Sequence, residues 1–269
     1  MRRSWLFVPG ADAAAHAAAA RSGADVIVLE LEDFTPPELR PRARQLSAQA
    51  FALWRKRGAV AAVRINPLET DGMADLAAIA PPDLLMMSKV DAPEQVRRLE
   101  AAAPPGVELV PNIESARGLL RIAEIAAASG RTSALLVASE DMVVDLGTER
   151  SRGGAELAYV RSRFLVECRA AGVEAIDCPY TFSDTKGAVA DARYAKQLGY
   201  RMKSLVDPSH ARAINAVFSP SRAELAKARK IVAAFEKARA AGRDRAKVGG
   251  ALIEVPIYAA AKRLLAAAR

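Results

Sequence analysis

The sequence predicts an α/β chain, a (β/α)8 TIM barrel with a C-terminal helical extension. Three observations carry this expectation. Short, nearly continuous apolar runs alternate with alanine-rich amphipathic stretches almost to the end, as strands covered on both faces by helices require. Glycines at 23, 58, 130, 172 and 199 fall where the amphipathic stretches stop, the usual place for a helix to end. The 269 residues also suit one barrel of roughly 250 residues with a short addition.

In chain order, strands are expected at 4–8 (SWLFV), 25–31 (DVIVLEL), 59–65 (AVAAVRI), 83–88 (DLLMMS), 107–111 (VELVP), 133–138 (SALLVA), 173–177 (VEAID) and 201–206 (RMKSLV). Helices are expected near 11–22, 38–57, 72–79, 92–103, 115–128, 152–171, 184–198 and 208–216. A longer helix follows near 220–241, with Ser219 as its N-cap and Pro220 in its first turn. A glycine-rich basic turn at Gly242 to Gly250 leads to a last helix near 256–268. These divide into a catalytic barrel over 1–218 and an extension over 219–269 that packs on the barrel or on a neighbouring subunit.

Composition removes several alternatives. With 39 Lys and Arg against 31 Asp and Glu the net charge is +8, and 51% of residues are hydrophobic, so a packed core is affordable and disorder is not expected. The mean hydropathy is +0.04. No apolar run reaches the roughly 18 residues of a membrane span, and MRRSWLFVPG breaks at Pro9-Gly10. A cytoplasmic protein with no membrane contact is expected. Cys168 and Cys178 have neither CxxC spacing nor a nearby His, which argues for buried thiols and against zinc or a disulfide. Aromatics are only 5% and the cations scatter along helices, so no nucleic-acid surface is expected.

Barrel chemistry sits at the C-terminal strand ends. Those ends read Glu30, Glu32 and Asp33; Arg64 and Asn66; Lys89; Asn112 and Glu114; Glu140 and Asp141; Asp177; and Asp207. A polar group at seven successive strand ends marks an active site better than it marks solvated loops. Glu114 and Asp141 come from neighbouring strands, so their oxygens can converge on one hard cation, and with no His or Cys at the ends that cation is Mg2+. Arg64 is a fixed cation for an oxygen on which charge develops, or the partner of Glu32 or Asp33. Lys89, among carboxylates, keeps its proton and acts electrostatically. His16 and His210, on helices, are expected at the surface.

The segments RSWLFVPG, GADVIVLELEDFTPPELRPRAR, VRIN, SKV, PNIESARGLL, SEDMVVDLG, AIDCPYTFSD and FSPSRAELAKA, in this order, resemble the citrate lyase beta-subunit family of the HpcH/HpaI aldolase superfamily, which includes malyl-CoA and citramalyl-CoA lyases. The resemblance spans residues 3 to about 260. It implies a Mg2+-dependent carbon–carbon lyase, a homotrimer or homohexamer, with Arg64 on the substrate oxygen and Glu114 and Asp141 on the metal. It further implies that Ala138, Ser139 and Glu140 line the substrate, and that Glu32 and Asp33 stand behind the metal. GALIEVP resembles the stretch that carries an acid–base carboxylate into a neighbouring subunit's site, which makes Glu254 that group. Ala15 and Ala18 stand where the family commonly has Arg and Lys, Ala138 where it has Gly, and Asp207 where it has His.

The implied reaction is cleavage of a 3-hydroxyacyl-CoA thioester of the citryl, malyl or citramalyl kind to a 2-oxo acid and an acyl-CoA. Two alternatives stay open: a class II pyruvate-type aldolase acting on a free 4-hydroxy-2-oxo acid, and a barrel that binds a 2-oxo acid without turnover. The aldolases use an EH pair where this chain has Glu32-Asp33.

Overall fold

The computed structural model describes residues 1–267. The chain divides into two compact units, one from Met1 to Phe218 and one beginning at Ser219. In the first, eight parallel strands close into a barrel in sequence order: β1 Ser4–Pro9, β2 Val26–Glu30, β3 Val60–Ile65, β4 Leu84–Met87, β5 Glu108–Ile113, β6 Ala134–Val137, β7 Glu174–Asp177 and β8 Met202–Leu205. Between and after them run α1 Ala13–Ser22, α2 Arg40–Lys56, α3 Met73–Ala78, α4 Pro93–Ala102, α5 Ala116–Leu119, α6 Ile122–Ala127, α7 Glu140–Asp145, α8 Ala158–Ala171, α9 Thr185–Leu198 and α10 Ala211–Phe218.

The two-residue strand period sorts the apolar residues into two layers. Trp5 and Phe7 of β1 turn inward with Val28, Ala62, Met86, Val110, Leu136 and Ile176, and fill the barrel. Leu6 and Val8 turn outward with Ile27, Leu29, Val63, Leu85, Leu109 and Leu135, and meet the helices. The strands are therefore buried on both faces, which is why they read as continuous apolar runs. At the end of β1 the chain passes so close to β2 that a Cβ on Gly10 would lie 2.6 Å from the Glu30 carbonyl oxygen.

Several local expectations are corrected. The helix expected over 115–128 breaks into α5 and α6 at Leu120–Arg121, and the one over 152–171 starts only at Ala158, after Gly154 at φ +64°. Glu140 and Asp141 lie in the first turn of the unforeseen helix α7, not on a strand. His16 and His210 are buried, not superficial. His16 lies on the buried side of an alanine-rich helix, its ring edge-to-face with Trp54 and its Nε2 3.0 Å from the Pro9 carbonyl oxygen. Burial holds its pKa below the usual value of 6.5. His210 Nε2 sits 3.2 Å from the Ser183 carbonyl oxygen, under the loop after β7. Cys168 and Cys178 are free, buried thiols, and burial pushes Cys178 up to about 12.

The second unit contains α11 Arg222–Ala240, an antiparallel hairpin of β9 Ala246–Val248 and β10 Ala251–Ile253, and α12 Val255–Ala267. The glycine-rich stretch is thus a strand pair, with Gly249 and Gly250 at positive φ in its turn. The N-cap of α11 is Ser221, not Ser219: its hydroxyl accepts from Glu224 N while the Glu224 side chain accepts from Ser221 N. Ala228, Ile231, Phe235, Ile253 and Ala261 form this unit's own core. Residues 268 and 269, which end the expected extension, lie outside the described residues. No helix among the described residues is long and apolar enough to cross a membrane.

Candidate active site

A cavity of about 770 Å3 lies at the C-terminal ends of the barrel strands. Phe7, Arg64 and Leu136 line it from β1, β3 and β6, Ser204 and Val206 from β8 and just beyond, and the remaining walls come from helix α7 and from segments after the strands. Asp33, Phe34, Lys89, Glu114, Ala138, Ser139, Glu140, Asp141 and Thr181 are among these.

Arg64 stands at the centre, 6% exposed. In the barrel register Glu30 is directly opposite it on β2, and Arg64 Nε donates to Glu30 Oε1 at 2.8 Å. Its Nη2 reaches Glu32 at 3.3 Å and Asp33 at 3.2 Å, its Nη1 lies 3.7 Å from Glu114, and its guanidinium carbon is 5.2 Å from the centre of the Phe7 ring. The surrounding carboxylates, Glu30 foremost, outweigh the effect of burial and hold Arg64 charged at any accessible pH. Glu30 also accepts from the backbone of Glu32 at 2.8 Å and Phe34 at 2.5 Å, so one carboxylate fixes both Arg64 and the loop that carries Glu32 and Asp33.

Lys89 pairs with Glu32 across the cavity wall. Its φ of +55° is the one left-handed value at a non-glycine among the described residues. Such a conformation costs of order 1–3 kcal/mol and persists only where the surroundings fix it. Here Gln95 Nε2 donates to the Lys89 carbonyl at 3.1 Å, and Val90 N donates to Asn112 O at 3.1 Å. Glu32 is raised above the usual carboxylate range by burial, opposed by Arg64 and Lys89.

Glu114, 4% exposed, is the most consequential group. Neither of its carboxylate oxygens has a hydrogen-bond partner, although both are buried. Burial pushes its carboxyl up to about 8, against the pull of Arg64 and with the help of the Asp141 and Glu32 charges. Asp141 lines the same cavity from the first turn of α7, beside Ala138 and Ser139. Glu140, also on the cavity wall, accepts from Thr181 Oγ1 at 2.8 Å and from Arg150 Nε at 3.3 Å.

The strand-end set therefore splits. Arg64, Asp33, Lys89, Glu114, Ala138, Ser139, Glu140 and Asp141 share the cavity, and Glu32 is buried between Arg64 and Lys89. Asp177 does not belong to it: Ile176 faces inward, so its neighbour faces out, where Arg161 at 2.7 Å and Lys203 at 2.6 Å neutralise it. Asn66 is taken up by Asp75 and the Leu31 carbonyl, and Asp207 caps the turn after β8 through Ser209 N. Glu254 belongs to the second unit and pairs there with Arg245 at 3.7 Å. Glu30 had no assigned role in the sequence, because its position opposite Arg64 depends on strand register.

The donor set fits a hard divalent cation. A buried carboxylate with both oxygens unpartnered is costly unless a positive partner reaches it, and carboxylate oxygens are what Mg2+ takes. No group of three or more His, Cys, Asp and Glu side chains among the described residues is arranged to hold a metal. Glu114 and Asp141 would thus supply two ligands, and the rest would come from water and substrate, as is usual for Mg2+.

Comparison with known proteins agrees with this geometry. The chain is 32% identical to citrate lyase subunit beta of Escherichia coli (strain K12) over 281 residues, covering 99% of this chain and 93% of that protein. It is 32% identical to a (3S)-malyl-CoA thioesterase of Cereibacter sphaeroides over 270 residues, covering 99% and 94%. The crystal structure of the protein CitE from Mycobacterium tuberculosis, in complex with magnesium, acetoacetate and coenzyme A, superposes with a TM-score of 0.81 at 28% identity, covering 99% of this chain and 97% of that one. The HpcH/HpaI aldolase/citrate lyase family matches residues 3–208. On this match and on the full-length identity to its members, the chain belongs to the HpcH/HpaI aldolase/citrate lyase family of lyases.

Proposed function

We propose that the chain is a Mg2+-dependent carbon–carbon lyase that cleaves a 3-hydroxyacyl-CoA thioester, of the citryl-, malyl- or citramalyl-CoA kind, to a 2-oxo acid and an acyl-CoA. The carrying observation is Glu114, buried with both oxygens unpartnered at a cavity wall it shares with Asp141 and Arg64. The coenzyme A bound to the Mycobacterium tuberculosis relative and the malyl-CoA thioesterase relative support the acyl carrier, and the magnesium bound to the former supports the cation.

Bound between Glu114 and Asp141, Mg2+ would supply positive charge to the oxygens of the 2-oxo acid portion. The protein's own residues do the rest. Cleavage turns a hydroxyl into a carbonyl: a base takes the hydroxyl proton, the electrons of the C–C bond pass into the thioester fragment as an enolate, and the same group, now an acid, returns a proton to the enolate carbon. Arg64, locked by Glu30, presents Nη1 toward Glu114 and the cavity, so its donors are in place before charge develops and cost no reorientation. Lys89 and Arg64 together hold Glu32 in place, which keeps the wall behind the ligands rigid. Ala138 and Ser139 line the same cavity and would border the bound substrate. We assign the acid–base step to Glu254, delivered from a neighbouring copy in a homotrimer or homohexamer. No His lines the cavity, so the His-based chemistry of a free 2-oxo acid aldolase gains no support.

The test is to incubate the purified protein with Mg2+ and malyl-CoA, citramalyl-CoA or citryl-CoA and to quantify released 2-oxo acid. Release from at least one, abolished by EDTA, is the expected result. No release from any of the three overturns the reading.

A further inference from the structure

Alternate residues of a strand share a face, so Val110 and Asn112 follow one another up the inner side of β5, and Glu114, one residue past its end, continues the series into the cavity wall. Val110 belongs to the apolar filling of the barrel, while Leu109 and Ile113 belong to the layer outside it, which fixes Asn112 to the interior. There it is fully buried, and neither its Oδ1 nor its Nδ2 has a hydrogen-bond partner. In register it stands beside Leu136, which lines the cavity. A carboxamide in that place is expensive: leaving a buried polar group unpaired costs about 1–3 kcal/mol, and Leu would pack there at no such cost. The next inward residue, Glu114, shares the predicament, with both oxygens buried and without a hydrogen bond, and Arg64 Nη1 no nearer than 3.7 Å. The two side chains make no direct hydrogen bond, and their backbones are about 6.6 Å apart along the strand. A single water, donating and accepting, spans such a gap and needs two to four polar partners of this kind.

We propose that Asn112 is a positioning residue for Glu114: its carboxamide holds an internal water that hydrogen-bonds one Glu114 oxygen and so leaves the other aimed at the cation. The proposal rests on the reading of Glu114 as a cation ligand. Asn112 touches neither substrate nor metal in this scheme and acts only by fixing the carboxylate, as partners behind metal ligands commonly do.

The experiment is a Mn2+ titration of the metal-free protein, read by the electron paramagnetic resonance of free Mn2+, alongside thermal melting. Asn112→Leu and the smaller Asn112→Ala are compared with the wild type. The expected result is about a tenfold or greater loss of Mn2+ affinity in both variants, while Asn112→Leu melts no lower than the wild type because a desolvated amide has been replaced by a side chain that suits the core. A purely structural Asn112 would lower the melting temperature and leave affinity alone. Mn2+ affinity within twofold of wild type in both variants overturns the proposal and leaves the Glu114 reading standing. Absence of saturable Mn2+ binding in the wild type overturns that reading, and the proposal with it. Should Asn112→Leu not fold, Asn112→Ala, which cannot overpack the barrel, gives the same affinity readout.

Discussion

Replacing Glu114 by Gln tests the site through stability rather than turnover. In the metal-free fold the Glu114 carboxyl titrates at about 8 against 4.5 as its ordinary value, chiefly because it is buried. A carboxyl raised in this way stabilises the fold fully below pH 4.5, and that contribution is lost as the pH rises through 8. At about 1.4 kcal/mol for each tenfold in the ionisation constant, the ceiling is ~5 kcal/mol between pH 4.5 and pH 9. Water entering from the cavity solvates the carboxylate and lowers the effect to roughly 2 kcal/mol, or about 4–8 °C in melting temperature for a chain of this size. Glu114→Gln has no such ionisation. In EDTA the wild type should therefore lose stability from pH 6 to pH 9 and the variant should lose several degrees less, ending above the wild type at pH 9. Adding 10 mM Mg2+ at about pH 9 should reverse the order, because ligand binding to the folded state alone raises stability by mass action. Differential scanning calorimetry at the two pH values, with and without metal, reads all four states. Equal pH dependence of both proteins in EDTA, or an equal Mg2+ response, would refute the assignment of Glu114 as the unpartnered ligand.

Arg64→Lys keeps the charge but loses the planar fork that Glu30, Asp33 and Glu114 surround. It should lower kcat/KM on the productive thioester by about 10²–10³-fold, measured from initial rates of 2-oxo acid release. Glu254→Gln should lower kcat by about 10²–10⁴-fold with little change in KM, and an unchanged rate would remove Glu254 from the chemistry. Lys203→Met leaves Asp177 and Asp191 to share Arg161 inside the fold and should cost about 3–5 kcal/mol in urea unfolding. Glyoxylate or oxaloacetate should give calorimetric binding heat only after Mg2+ has been added, since Glu30, Glu32, Asp33 and Glu114 already surround the charge of Arg64; equal heat in EDTA would contradict this order.

What the sequence made legible follows the physics of burial. Each of the eight strands is buried on both faces, so each leaves a contiguous apolar run that needs no knowledge of its neighbours. The helix α7 leaves no such trace: its six residues are too few for a helical period, and Val144 within it is exposed. The break at Leu120–Arg121 is hidden because ARGLLRIAEIAA reads as one amphipathic stretch. At the site, Arg64, Glu114 and Asp141 were readable as polar groups ending apolar runs. The role of Glu30 was not, because it depends on the β2–β3 register that sets Glu30 opposite Arg64. Asp177 misled for a related reason: it ends its run like the others, but one residue of phase turns it to the helix side. His16 misled because helical position alone does not say which face an alanine-rich helix presents.

The charges explain why the site needs an added cation at all. The chain carries a net +8, yet the cavity reverses that sign, with Asp33, Asp91, Glu114, Glu140, Asp141 and Asp145 on its wall against Arg64 and Lys89. A 2-oxo acid is itself an anion, so the wall as it stands repels the fragment it is to hold. Arg64 cannot offset this alone, since Glu30 and Glu32 behind it already absorb its charge, and Lys89 is engaged by Glu32. These internal pairs do something else: they fix the direction of the guanidinium and leave Glu114, among the described residues, the one buried carboxylate with neither oxygen hydrogen-bonded. A divalent cation at Glu114 and Asp141 would displace the proton that Glu114 holds below about pH 8, offset both carboxylates and present a positive surface where the substrate's oxygens arrive. The carboxylates then act as a metal trap when the cation is absent and as a rigid cradle of reduced negative charge when it is present, which is why the oxygens of Glu114, buried without a hydrogen bond, define the chemistry of this barrel more than any cation on the wall.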